Sequence, residues 1–232
     1  DARCLSHFFN ASMYNTILVK PAIYSYWPQG KFFSFDEVYA QKDFGYQGVW
    51  YEWARMNDQH ALNFSLEKIL KNKESPYFIE FFLINSHSPW KKIPPYIHDW
   101  ETIQNGEIFT EKNTVIFKRG PRKHRQKRGY LASISYELKI IEEFFNNNPD
   151  SDPIIIIAGD HQPKPPISDP DEGKEVPIHI LSKDRELISR FNDELWIDGF
   201  HLNGTSPQWK MQQFLNYFIS KVTQSSKKVV QN

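Results

Sequence analysis

The stretch Ile154-Ile155-Ile156-Ile157-Ala158-Gly159-Asp160-His161-Gln162-Pro163 reads as a short apolar strand that stops at a glycine, a carboxylate and an imidazole. A run of this length bounded by prolines fits a buried strand and is too short for a helix. Gly159 is expected to let the backbone turn tightly and so aim the two side chains that follow. Asp160 and His161, side by side at a strand end, can hold a divalent ion through one oxygen and one nitrogen. The plainer alternative is a strand-terminating turn in which Asp160 caps a neighbouring amide.

Toward the C-terminus, a polar, proline-rich loop runs to residue 175. A strand is expected over 176–182, where His179 either faces the same site or serves the core. A short helix is expected over 184–191, and a last amphipathic helix over 207–221, with Ser206-Pro207 as its N-cap and first residue. Toward the N-terminus, Leu131, Ile134, Leu138, Ile141 and Phe145 recur at helical spacing, so a helix is expected over 129–147 with that stripe buried. Residues 91–127 read as a long loop. Residues 77–84 are apolar on both faces apart from Glu80, the pattern of a strand in the middle of a covered sheet. A helix over 61–72 with Leu62, Leu66, Ile69 and Leu70 on one face, an irregular aromatic-rich segment over 21–60 and a strand over 14–19 complete the reading.

Strands alternating with helices predict an α/β fold, a largely parallel sheet with helices on both faces. Residues 1–222 are expected to form one domain and residues 223–232 a disordered tail. In such sheets ligands gather at the carboxyl ends of the strands. With 28 basic and 28 acidic residues, the whole-chain charge predicts no nucleic-acid partner. One cysteine, Cys4, excludes an internal disulfide and a cysteine-rich zinc site. The run from Lys118 to Arg128 holds seven Lys or Arg in eleven positions. Without aromatic interleaving it reads as a solvated loop, with an anionic lipid or nucleic-acid contact as the alternative.

A second polar motif, Asn85-Ser86-His87-Ser88-Pro89-Trp90, follows the strand over 77–84. His87 titrates near neutral pH and can hydrogen-bond or protonate an anionic substrate; a loop histidine without function is the alternative.

Together these motifs carry a resemblance. Strand–Gly159-Asp160-His161-Gln162-Pro163 resembles the distal metal motif of the sulfatase-like branch of the alkaline phosphatase superfamily. Strand–Asn85-Ser86-His87-Ser88-Pro89-Trp90 is similar to that branch's substrate-side histidine motif, as in lipoteichoic acid synthases. Trp27-Pro28-Gln29-Gly30, Trp53-Ala54-Arg55-Met56-Asn57-Asp58-Gln59 and Val176-Pro177-Ile178-His179 also resemble, in the same order, a membrane-associated bacterial subgroup of sulfatase-like proteins. The resemblance covers residues 3–220. It implies an alkaline-phosphatase-like fold whose N-terminal part is missing, and transfer or hydrolysis of a phosphate or sulfate ester. Asp160 and His161 match metal ligands for Mn, Zn or Ca. His87, Arg55 and Trp53 match the substrate side, where Arg55 can pair with an anionic oxygen. The family nucleophile, a Thr, Ser or modified Cys opening a helix, has no counterpart here: Cys4 lacks the Cys-x-Pro-x-Arg context, and Thr16 lies in a predicted strand. The resemblance therefore implies the C-terminal part of an enzyme inactive by itself, or a non-catalytic binding domain. The implied partners are an anionic ester substrate on an envelope component and an upstream membrane-anchored segment, and the implied location is extracytoplasmic.

Overall fold

The computed structural model describes residues 4–25, 27–51, 55–72, 76–148, 153–168, 173–199 and 207–223. Trp53, Ser206 and the tail beyond residue 223 lie outside the described residues. The chain divides into two compact units, residues 1–149 with 162–173, and residues 150–161 with 174–232.

The first unit is built on β1 (Asn15–Lys20), where Ile17, Leu18 and Val19 are fully buried. β2 (Glu37–Ala40) and β3 (Tyr77–Phe81) pair with β1 on either side, both parallel to it. α1 (Leu5–Ala11) precedes β1, and its Phe9 ring stacks on Phe78 at 4.9 Å. α2 (Gln29–Phe32) is a single turn between β1 and β2. The expected helix over 61–72 is α3 (Asp58–Phe64), extended by a π-helical turn over Ser65–Ile69 and a 3-10 turn over Leu70–Asn72. Asn57 caps α3 by accepting from the His60 amide at 2.7 Å, which supplies a partner for an otherwise orphaned N–H. Ile17, Val19, Phe44, Met56, Ala61 and Ile69 form the core between α3 and the sheet.

β3 departs from the expected central position. It is an edge strand, paired only with β1 among the described residues, and its five residues are half-buried. An apolar run shows what a strand can bury; pairing on one side alone leaves Phe82, just past its end, 38% exposed.

The expected loop over 91–127 contains a two-residue antiparallel pair, β4 (Lys92–Ile93) with β5 (Val115–Ile116). The loop between them folds inward through Trp100, Ile103 and Phe109, all buried. α4 (Arg122–Asn147) begins at Arg122 rather than at 129. Lys, Arg and Gln are good helix formers, so the basic run that reads as loop by its charge continues the helix upstream to Pro121.

The face of α4 that is buried also differs. Gly129, Ser133, Tyr136, Glu137, Ile140 and Phe144 point inward, whereas Leu131 is 55% and Leu138 41% exposed. The helical period holds, but the buried stripe is rotated by about one residue, or roughly 100°. Gly129 sets that rotation: a β-carbon there would lie 2.1 Å from the Trp90 carbonyl oxygen, so only glycine admits this close approach.

In the second unit, β6 (Ile155–Ala158) pairs with β7 (Ile178–Leu181) in antiparallel register, Ile157 opposite His179. The strand expected over 176–182 is thus present at Ile178–Leu181, and its pairing is antiparallel. A parallel return is usually made by a crossover helix, and the described part of this connection is proline-rich and carries none. α5 (Arg185–Ser189) is capped by Asp184, which accepts from the Leu187 amide at 3.0 Å. α6 (Phe214–Val222) contributes Phe214 and Phe218 to an aromatic core with Phe191. Among the described residues no helix is long and apolar enough to cross a membrane.

The rotated face of α4 is tested by two truncations read by urea unfolding. Ile140→Ala is expected to cost about 2–4 kcal/mol, and Leu138→Ala less than about 1 kcal/mol. The reverse order would place the sequence-predicted stripe inward.

Candidate functional site

β3 delivers its chain at the carboxyl end of the parallel sheet into the segment Asn85 to Trp90. His87 is exposed there, its backbone amide donating to the Ile84 carbonyl at 3.0 Å. The His87 Nδ1 lies 2.7 Å from the Ser88 carbonyl oxygen. A carbonyl only accepts, so Nδ1 carries the hydrogen, and Nε2 of the neutral ring is the acceptor nitrogen.

Two anchors hold this loop. Trp90, 4% exposed, donates from Nε1 to the Ser86 carbonyl at 2.7 Å, meets the Tyr130 ring edge-on at 5.4 Å and lies against Gly129 of α4. The second anchor is Asp58, in the first turn of α3 and fully buried. Its Oδ2 accepts from the amides of Ile84 and Asn85, each at 2.6 Å, and its own amide donates to the Asn85 side-chain oxygen at 2.7 Å.

Glu137 of α4 is also buried and faces Asp58. Burial raises both carboxyl pKa values, and for Glu137 the neighbouring Asp58 charge adds to the effect. Two carboxylates in contact in a low-dielectric interior cannot both ionise. Asp58 has two amide donors, so it holds the negative charge, and Glu137 keeps the proton; Asp58 Oδ1 and both Glu137 oxygens are buried with no other hydrogen-bond partner among the described residues.

Arg55 is exposed, its guanidinium 5.5 Å from the Tyr24 ring centre and 5.2 Å from that of Trp50. Tyr24 follows β1, which places Arg55 over a segment leaving the carboxyl end of the sheet. Lys20, the last residue of β1, was not singled out in the sequence. Its ammonium lies 4.4 Å from the Trp27 ring centre and 4.3 Å from that of Phe82. Burial lowers its pKa, opposed by the Glu80 carboxylate. Lys20 and Arg55 are therefore two aromatic-backed cations on segments at or leaving the carboxyl end of the parallel sheet.

In the second unit, Asp160 and His161 follow β6 and are exposed, with His161 Nε2 3.5 Å from Asp160 Oδ2. Asp160 Oδ1 also accepts from the His161 amide at 2.9 Å, the capping contact of the plainer reading. The donor set of one carboxylate and one imidazole, accessible and adjacent, fits part of a divalent-metal shell. No group of three or more His, Cys, Asp or Glu side chains gathers around a metal position among the described residues. Gly159 does not adopt the positive φ expected of it; a β-carbon there would meet Val176 at 3.3 Å, so close packing accounts for the glycine. His179 sits half-buried on β7, its pKa lowered by burial.

The two side chains weighed as nucleophiles in the sequence lie in different settings. The Thr16 hydroxyl is fully buried, 2.6 Å from the Ser34 carbonyl oxygen and 2.8 Å from Asp36 Oδ2. Cys4 Sγ lies 3.0 Å from Ser6 Oγ and 3.3 Å from His7 Nδ1.

An α/β unit with a parallel sheet and a polar motif at a strand's carboxyl end has the layout in which open α/β sheets bind their ligands. The sulfatase family model matches residues 1–187, and the chain belongs to that family. Comparison with curated proteins and with solved structures gives no match.

The buried pair predicts a definite pH response. Both carboxyls have folded pKa values above their ordinary 3.8 and 4.5, so the stability tied to the retained proton is complete below those values and is lost as pH rises through the folded values. Glu137→Gln keeps a donor to Asp58 without the titration. Thermal unfolding from about pH 4 to pH 7 should show the unsubstituted chain losing stability relative to Glu137→Gln; parallel curves would contradict the shared proton. Asp58→Ala, which orphans two buried amides, should cost about 3 kcal/mol or more.

Proposed function

We propose that this chain is the C-terminal part of a metal-dependent phosphate- or sulfate-ester hydrolase or transferase, with the attacking group supplied from outside residues 1–232. The observation that carries the reading is the His87 loop, tied at the carboxyl end of a parallel sheet in a chain of the sulfatase family. A loop immobilised by two buried anchors while its imidazole stays exposed suits a residue that must meet a substrate.

Asp160 and His161 would hold the metal, which when bound supplies Lewis-acid stabilisation of charge on the ester oxygens. His87 would contact an anionic ester oxygen, donating when protonated. Arg55, backed by Tyr24 and Trp50, and Lys20, between Trp27 and Phe82, would neutralise substrate charge. Trp53 belongs with this set by resemblance alone. β3 closes the sheet on one side among the described residues, and its half-buried apolar side chains would suit a further neighbour there, which is where the remaining metal ligand and nucleophile would enter. By resemblance the substrate is an anionic ester of an envelope component, the location extracytoplasmic, and the anchor an upstream membrane segment. A second reading is a binding domain that keeps the fold without turnover.

Assay of the chain together with its upstream segment on aryl phosphate and aryl sulfate, with Mn²⁺, Zn²⁺ or Ca²⁺, separates the two readings. The enzyme reading expects metal-dependent turnover that falls by about 100-fold or more in Asp160→Ala and His161→Ala, and about 10-fold or more in His87→Ala. Metal-independent turnover, or full turnover by residues 1–232 alone, would overturn it. Substrate-analogue binding without turnover would establish the binding domain.

A further inference from the structure

The basic run that reads as a solvated loop is in fact the first two turns of α4, and its setting is unusual for a structural helix start. Arg122, Lys123, Lys127 and Arg128 are exposed and Arg125 half-buried; these cations face all sides of the helix as it begins. Its first turn contains no acidic residue. No ion pair engages Lys118, Arg119 or any of these five cations among the described residues. Arg125 and Arg128 instead donate to the carbonyls of Lys118 and Arg119, at 3.3 and 2.8 Å, which draws the strand-exit segment and the helix start into one cationic surface. Like charges at three- and four-residue spacing repel, and cations oppose the positive end of the helix dipole. The helix start thus carries an electrostatic cost that a bound anion would relieve.

Beside it, Lys91, Lys92, Ile116, Phe117, Lys118 and Arg125 line an open cavity of about 450 Å³. Its carboxylate, Glu111, pairs with Lys92 at 2.6 Å, leaving the balance strongly positive. Exposed apolar side chains accompany the cations: Val115, 49% exposed, at the β5 edge and Leu131, 55% exposed, on α4.

We propose that the β4–β5 pair and the start of α4 form a docking surface for an anionic lipid membrane. Cations spread over three segments, rather than converging on one point, suit a surface of many phosphates. Exposed aliphatic side chains among them suit the headgroup–acyl boundary. A nucleic-acid strand fits less well. Phe117, the aromatic ring at the cavity, already lies under the Arg128 guanidinium at 5.9 Å, and residues 118–128 contain no Phe, Tyr or Trp on which bases could stack. The whole chain also lacks the net positive charge typical of such binders. This inference stands apart from the enzymatic proposal, because it needs no turnover.

Vesicle co-sedimentation of the full chain tests it, with phosphatidylcholine vesicles, with the same vesicles containing phosphatidylglycerol, and with a single-stranded oligonucleotide as competitor. Binding is expected only to the anionic vesicles, weakening as salt rises above about 0.1 M. At about fivefold per cation, the quadruple variant Arg122→Gln, Lys123→Gln, Arg125→Gln, Lys127→Gln should bind more than about 100-fold less tightly. Its thermal midpoint should be unchanged or raised, since like-charge repulsion is removed. The control Lys31→Gln, Lys42→Gln, which neutralises exposed cations elsewhere, should bind as the unsubstituted chain. Equal binding to both vesicle types, no binding, equal loss in the control, or displacement by oligonucleotide at lower concentration than by soluble phosphatidylglycerol would overturn the proposal.

Discussion

Two buried carboxyl groups in contact, with no cation beside them, fix the position of the segment that leaves β3. Asp58 and Glu137 come from different helices, Asp58 reaches the Ile84 and Asn85 amides, and burial of Glu137 against Asp58 raises both carboxyl pKa values, so the proton assigned to Glu137 would link α3, the end of β3 and α4. Desolvating a lone carboxylate is expensive, and desolvating two would be prohibitive. Keeping one proton removes half of that cost. The two short amide contacts then stabilise the remaining charge better than a neutral acceptor would. The exposed imidazole of His87 inherits its position from this arrangement.

The same arrangement explains the orientation of α4. Had the stripe of Leu131, Ile134, Leu138, Ile141 and Phe145 turned inward, Glu137 would have moved away from Asp58 and Gly129 away from Trp90. Polar pairing and one close backbone approach outweigh a somewhat more apolar face. The exposed aliphatic side chains left on the outside, Leu131 and Leu138, are the consequence. Hydrophobic periodicity reports that a helix forms with good fidelity; which side faces the core depends on partners that lie far away in sequence.

Much of the framework was legible from local pattern. The strands near residues 15 and 155, the helix through residues 61–64 and the short helix near residue 185 all follow from apolar runs and turn residues; the start of α3 at Asp58 and the Asp184 cap came from the structure. The edge position of β3 and the antiparallel pairing of β7 were not, because apolar content does not specify which neighbours a strand finds. The start of α4 was hidden by its charge: composition suggested loop, while intrinsic helix preference favoured continuation. At the site, the Asp160-His161 and His87 motifs announced themselves by chemistry at strand ends. Lys20 did not, because a lysine closing a strand is unremarkable until Trp27 and Phe82 are seen around it. Asp58 and Glu137 were silent for the opposite reason: each is ordinary alone, and only burial against the other makes them consequential.

The shared proton can be observed directly by infrared spectroscopy of the folded chain. At pH 7 the account predicts a carbonyl stretch from a protonated carboxylic acid, insensitive to solvent exchange on the timescale of exposed groups and lost in Glu137→Gln. A spectrum without that band, or one that Glu137→Gln leaves unchanged, would mean that no proton is retained between Asp58 and Glu137, and the anchoring of the His87 loop would need another explanation.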